Sequence, residues 1–299
     1  MATFRTENEQ ISWLQEAAAR NQPAGLDRLG TLRHIDDAAK LRAAGAVKLG
    51  RSVSLERPLV EGVGYEVEVT YGEPAGVPPS TPAFDVVKLE CHGLRLTHVD
   101  GLNHFGYGGT LYSGWSREDP DGPSPFDWAA TGIFTRALHA DISRVRGVDW
   151  CDPSEPLTGD DLAGAIAQLG TECLPGDAVL VDMGRDRYEA AGLTPRSQLG
   201  APEDYHQPGM GPDGAEWLMD HKVAVVCWDF LDAVGPHLCN FSGHQMIWTV
   251  GQVFVDNVTY TSLHMEEDAG ASTGIGALVV APLAAPRTTG CVINPLFLF

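Results

Sequence analysis

The sequence is short of positive charge. Its 299 residues carry 20 Lys and Arg against 40 Asp and Glu, a formal charge of −20. A chain this acidic offers no basic face for phosphates, which argues against nucleic acid or an anionic membrane surface as a partner. Long apolar runs are missing too: none approaches the ~20 residues of a membrane helix. The opening MATFRTENEQISWLQEAAAR lacks the apolar core of a signal peptide, so a cytoplasmic protein is expected. Paired cysteines are absent. Cys91, Cys151, Cys173, Cys227, Cys239 and Cys291 are scattered with no CxxC, and read as reduced, mostly buried thiols. There is no GxGxxG after a strand and no GxxxxGK[ST], so no nucleotide cradle is indicated. Internal repeats and low-complexity linkers are also missing.

What is present is enough apolar material for a packed core, with 43% hydrophobic and 20% charged residues. The first fifty residues read as a helical arm. ISWLQEAAAR is followed by IDDAAKLRAAGAVKLG, where Ile35, Ala38, Ala39, Leu41 and Leu49 form an apolar stripe. Asp36 or Asp37 caps this second helix, and Gly45 or Gly50 ends it. From Ser52 the pattern changes to strand chemistry in SVSLERPLV, GYEVEVTYGE and FDVVKLECHG, with a Pro-rich loop over residues 75–83. GDAVLVDMG and KVAVVCWDF read as buried strands. GDDLAGAIAQLG and GPDGAEWLMDHK read as capped helices, and QMIWTVGQVFVDNV and GALVVAPLA as further strand-like segments. The expectation is a single α/β domain over residues 1–299.

Chemistry concentrates in one stretch, His92-Gly-Leu-Arg-Leu-Thr97-His98-Val-Asp100-Gly-Leu-Asn-His104-Phe105. On an extended backbone His98 and Asp100, two apart, point to one face. An imidazole and a carboxylate there are natural ligands for a divalent cation. His104 follows after a turn at Gly101 and is placed to act as a general base or acid near neutral pH. A capped turn or surface pair would explain the same spacing. His244 and Asp256, twelve apart, suit ligands at opposite ends of one strand-and-turn unit; a core His and a capping Asp would also explain them.

The sequence resembles the cyclase family of metal-dependent hydrolases, which includes bacterial kynurenine formamidase-like proteins and isatin hydrolase. That family carries H-x-G-T-H-x-D-x-P-x-H-F, and the matching stretch here runs from Leu94 to Phe105. Further matching segments are LGTLRHID, RGVDW at 146–150, LPGDAVLV at 174–181, AEWLMDHKVAVVCWD at 215–229, GHQMIWTVGQVFVDN at 243–257 and the terminal INPLFLF. The resemblance implies a swivelling β/β/α fold around a curved, barrel-like sheet, and a homodimer or higher homo-oligomer with the N-terminal helices as a contact. It also puts the second ligand pair on His244 and Asp256. The family's first metal-binding His falls on Leu94, which cannot ligate. By strand alternation His92 lies one pleat further back, roughly 6.5–7 Å away, outside the ligand set.

The resulting expectation is one divalent ion, Mn²⁺ or Zn²⁺, on His98, Asp100, His244 and Asp256, with His104 as the base. Such an ion lowers the pKa of its water toward ~7 and polarises a carbonyl. Hydrolysis of a C–N or C–O acyl bond follows, in a lactam, lactone or N-formyl amide of a small cyclic or aromatic metabolite. A metal-dependent cyclase or dehydratase of secondary metabolism is the alternative, and a non-catalytic metal-binding protein a third reading. Tyr107 and Trp115 are candidates for a lid over the substrate, with ordinary hydrophobic packing as the alternative. Arg185 is a candidate for binding a substrate carboxylate, with a surface salt bridge as the alternative, and His206 a candidate for substrate contact. Asp229 either orients a ligand or caps a turn. Cys91 reads as a buried structural thiol, and His34, His139, His221, His237 and His264 as surface or structural.

Overall fold

The computed structural model describes residues 6–196, 205–235 and 241–299. Helix α1 (Glu7–Asn21) starts at a capping box in which Thr6 and Glu9 satisfy each other's backbone N–H. It buries Trp13, Leu14 and Ala17. Helix α2 (Asp37–Ala46) is capped by Asp36, whose side chain accepts from the Ala39 N–H. Its buried face is Ala39 and Ala43, while Leu41 and Leu49 are exposed. The expected stripe is therefore replaced by a narrower alanine face, which lets the helix lie close against the sheet.

After β1 (Ser52–Ser54), the segments β2 (Tyr65–Tyr71) and β3 (Ala83–Leu89) form a two-stranded sheet with each other. This antiparallel ribbon is exposed, with Val69, Tyr71, Phe84 and Val86 open to solvent. The Pro-rich loop connects its strands. Beyond it come β4 (His98–Asp100), α3 (Phe126–Ala129), β5 (Ile133–Asp141) and α4 (Ile142–Arg146). Helix α5 (Gly159–Gln168) has a Thr158–Asp161 capping box and leads to β6 (Ala178–Asp182), α6 (Arg185–Ala190), α7 (Pro212–Asp220) and β7 (Val225–Trp228).

The expected strand QMIWTVGQVFVDNV divides in two. Its first half is helix α8 (Gln245–Val250), ended by Gly251 in the left-handed region; its second half is β8 (Val253–Asp256). α8 packs on α1, so tertiary contact overrides the β-branched composition. Helix α9 (Thr261–Asp268) and strands β9 (Ile275–Val280), β10 (Gly290–Val292) and β11 (Leu296–Leu298) complete the chain.

Among the described residues nine strands form one curled, half-barrel sheet in the order β1-β11-β9-β5-β6-β7-β8-β4-β10. β5 to β8 are parallel and buried, the central α/β unit anticipated from the apolar runs. β4 is antiparallel to β8, with His98 directly opposite Asp256. That register brings residues 158 apart in sequence onto one face. Cys151, Cys227 and Cys291 are buried free thiols, whereas Cys91 and Cys173 are half-buried. Cys239 and His237 lie outside the described residues.

Asp177 ties the sheet to α2. Fully buried, it accepts from Arg136 Nη2 at 2.5 Å, Arg42 Nε at 3.1 Å and the Leu174 N–H at 2.8 Å. Removing one partner of a buried ion pair strands the other charge and costs about 3–5 kcal/mol, against about 1 kcal/mol for loss of a helix cap. Asp177→Ala is therefore expected to lower the urea midpoint several times further than Thr158→Ala. Equal shifts would show that Asp177 does not hold the layers together.

Candidate metal centre

Four elements converge on Asp100. The carboxylate stands at the end of β4, and among the described residues neither of its oxygens has a hydrogen-bond partner although both are buried. Such a group is costly unless a cation faces it. Imidazoles surround it. His92 Nδ1 lies 3.3 Å from Oδ1, His98 Nε2 3.4 Å and His104 Nε2 3.9 Å from the same oxygen, and His244 Nε2 is 3.6 Å from Oδ2. Asp256 Oδ2 closes the ring, 3.8 Å from His98 Nε2 and 3.4 Å from His244 Nε2. The expected set of His98, Asp100, His244 and Asp256 is thus gathered at one point, with His104 beside it.

The ring tautomers are prepared from behind. His98 Nδ1 donates to the Leu96 carbonyl at 2.8 Å, which leaves Nε2 to face the carboxylates. His244 Nδ1 is hydrogen-bonded to Asp232 Oδ2, which leaves its Nε2 in the same role. Asp256 Oδ1 accepts from Trp228 Nε1 and turns Oδ2 inward. A carboxylate or carbonyl behind each ligating imidazole is the usual support of a metal site. Gly243 makes the approach of His244 possible, since a Cβ there would meet the Trp228 ring at 2.6 Å. His244 sits at the N-cap of α8 rather than on the expected strand.

Electrostatics follow the same geometry. Burial disfavours charge on His98, yet Asp100 and Asp256 raise it to about 9. His244 is raised well above the ordinary histidine value by Asp232 and Asp256, against its own burial. Burial opposes the charge of Asp100 too, but His104, His92 and His98 hold its carboxyl well below the usual range. His104 goes the other way: burial lowers it, outweighing Asp100. Two carboxylates among nitrogen donors suit a divalent ion, and the orphaned oxygens of Asp100 fit one.

His92 departs from expectation. Residues 91–97 are not an extended strand, and Gly93, at φ +113°, bends the chain so that His92 reaches Asp100. Its ring stacks on His104 at 3.9 Å and bonds Thr289 through Nε2 at 2.8 Å. Strand alternation fails where the strand is broken; the glycine after His92 was the available signal. Asp232 was missed because nothing in its local sequence marks it.

A cavity of about 440 Å³ opens over the cluster, walled by His92, His104, Phe105, Leu231 and Phe241 among others. The candidate substrate residues fare differently. Tyr107 is not among the lining residues and packs on Trp248. Trp115 is buried against Asp27, to whose carbonyl it donates, with the Arg28 guanidinium 4.5 Å above its ring. Phe105 and Phe241, 5.2 Å apart, supply the aromatic wall instead. Arg185 is buried and engaged at all three nitrogens by the Asp229 carbonyl, Asn257 Oδ1, the Leu94 carbonyl and Glu189, so it has no fork to offer a substrate. His206 is exposed outside the cavity lining, although its neighbour Gln207 belongs to it. Asp229 caps: it accepts the N–H groups of Met183, Arg185 and Phe230.

Comparison with known proteins agrees with this architecture. The profile of the putative cyclase family matches residues 53–233. A crystal structure described as a novel cyclase superposes with a TM-score of 0.74 at 22% identity, covering 91% of this chain and 96% of its own. Isatin hydrolase A from Labrenzia aggregata, bound to benzyl benzoate, gives 0.58 at 18% identity over 85% and 94%. An isatin hydrolase bound to the product analogue thioisatinate gives 0.53 at 20% identity over 87% and 94%. No curated protein matches the chain in sequence. The profile spans more than half of the 299 residues, and the protein belongs to the putative cyclase family.

Proposed function

We propose that the protein is a metal-dependent hydrolase of a C–N or C–O acyl bond in a small cyclic or aromatic metabolite. The observation that carries this reading is the Asp100 carboxylate, buried with both oxygens unpartnered and ringed by imidazole nitrogens under an apolar cavity. His98, Asp100, His244 and Asp256 would hold one Zn²⁺ or Mn²⁺. An ion held there would supply Lewis acidity, for polarising an acyl oxygen and acidifying water. The hydrolases of isatin among the similar structures support a cyclic amide as substrate class.

The remaining work falls to this chain's own side chains. Phe105 and Phe241 flank a flat substrate and exclude water from its ring. His104 is the base: its side chain is 23% exposed, whereas that of His98 is sealed at 1%. Lowered by burial, it stays neutral near pH 7 and takes a proton from attacking water at Nε2. The stacked His92 ring holds the His104 plane in place. After acyl cleavage His104 returns the proton to the leaving nitrogen or oxygen.

His104→Ala is expected to keep the cluster's metal yet lose about 10²–10⁴-fold in turnover of N-formyl aromatics, lactams or lactones. His98→Ala loses metal and turnover together. Elemental analysis and rates on both variants, with melting temperature as control, decide the matter. Loss of metal from His104→Ala would put that residue among the ligands. Turnover that yields a ring-closed or dehydrated product would instead select the cyclase or dehydratase reading.

Asp232→Asn tests the support behind His244. The amide cannot hold the Nδ1–H tautomer as a carboxylate does, so metal affinity should fall about 10–100-fold with little change in fold. A competition titration against a chelator measures it, and unchanged affinity would remove Asp232 from the site.

A further inference from the structure

A second cluster of imidazoles and carboxylates lies on the other face of the sheet. In register, Leu180 stands opposite both His139 and Cys227, and Cys227 opposite Val255. Opposed residues share a face and neighbours alternate. His139 and Asp182 therefore point to one side of the sheet, and Asp256, with the centre described above, to the other. Helix α9 covers the cluster. It presents His264 and Glu267, three apart, on one helical face.

His139 is the telling residue. It is 2% exposed, and its Nδ1 donates to Glu267 Oε1 at 2.8 Å. Its Nε2 points inward and has no hydrogen-bond partner among the described residues. It faces Asp182 Oδ2 at 3.5 Å, and the same oxygen lies 2.6 Å from His264 Nε2. One ligand atom from each of His139, Asp182 and His264 lies within 4.8 Å of the other two. Behind His264, Nδ1 faces Asp141 Oδ2 at 3.9 Å and Glu267 Oε2 at 3.8 Å. Each imidazole thus has a carboxylate at its rear nitrogen and turns its front nitrogen to a shared carboxylate, as metal-ligating histidines do. Asp141, Asp182 and Glu267 place three carboxylates around the two rings; against burial they raise both imidazoles above the ordinary histidine value, His139 to about 10, and Arg144 Nε stands 3.3 Å from Asp141 Oδ2. A cavity of about 200 Å³, lined by His139, Asp141 and Glu267 among others, gives access from solvent.

We infer that His139 Nε2, Asp182 Oδ2 and His264 Nε2 form a second divalent-cation site, separate from the Asp100 centre and suited to Zn²⁺. Two imidazoles and one carboxylate make a three-ligand zinc set, with the fourth position open to water from the cavity. The ion joins α9 to the ends of β5 and β6. Binding takes up the front nitrogens of both rings and releases the protons that the facing carboxylates otherwise keep on them.

The test counts Zn²⁺ in whole protein stripped with a chelator and dialysed against ZnCl₂. It uses wild type, His98→Ala, His264→Gln and the double variant, each checked by circular dichroism. His264→Gln should hold one Zn²⁺ per chain fewer than wild type, and the double variant one fewer than His98→Ala. In the His98→Ala background Zn²⁺ should raise the melting temperature, and His264→Gln should abolish that rise. The comparison within this background separates the inference from the proposed function, since the Asp100 centre is already disabled in both proteins. Glu267→Gln, which leaves all three ligands in place, should weaken this Zn²⁺ about 10–100-fold; it serves as the second variant if His264→Gln does not fold. Equal zinc contents and an unchanged melting response in folded variants would overturn the site and leave a proton-bridged network.

Discussion

The burial of Asp100 is the constraint around which the centre is built. A carboxylate removed from water without hydrogen bonds is expensive, and a second one, Asp256, lies across the same ring of nitrogens. Positive charge must come from the facing imidazoles or from a cation. The imidazoles are in turn fixed from behind by the Leu96 carbonyl, Asp232 and Thr289. Moving any of them rotates a ring away from the carboxylates. The cluster is therefore one cooperative unit, in which each residue's orientation depends on neighbours from distant parts of the chain.

The parallel strands explain why acids collect here. β5, β6 and β8 end in Asp141, Asp182 and Asp256, and Asp229 follows β7 directly. The carboxyl ends of such strands are where open α/β sheets place their functional groups. The acids diverge in use because alternation sends them to different surroundings. Asp256 faces His98 and His244. Asp182 faces His139 and His264. Asp141 caps α4 through the Arg144 N–H. Asp229 accepts backbone N–H groups but is so deeply buried, and so near Asp182, that its carboxyl is pushed up to about 7.

How much of this was legible in the sequence depended on distance along the chain. His98, Asp100 and His104 lie within seven residues, so local backbone geometry was enough to place them. The buried strands β6 and β7 were readable as short apolar runs with flanking Gly and Asp. Helix α8 was not, because its residues favour a strand and only packing on α1 makes them helical. The two-sidedness of the sheet was not readable either. His139 and His264 looked isolated because their partners, Asp182 and Glu267, are assigned by strand register and by the placement of α9. Tyr107 and Trp115 follow the motif closely, yet the turn after Phe105 carries them away from the cavity.

The bend before β4 shows how a departure from the expected ligand pattern is accommodated. Leu94 occupies the position where the resemblance expects a histidine, and its backbone carbonyl accepts from Arg185 Nη2 at 2.6 Å. Arg185 also donates to Asn257 Oδ1 at 2.7 Å, and Asn257 Nδ2 donates to the carbonyls of Gly93 at 2.7 Å and Leu96 at 3.1 Å. A buried guanidinium and one amide thus hold the backbone of residues 93–96 in a shape that strand pairing would not produce. That shape turns His92 toward Asp100 and sets the Leu96 carbonyl behind His98. Arg185 acts on the centre through this backbone, from a position where it cannot touch a substrate. The arginine considered as a substrate contact or a surface salt bridge is instead what allows a histidine two residues out of place to face the same carboxylate.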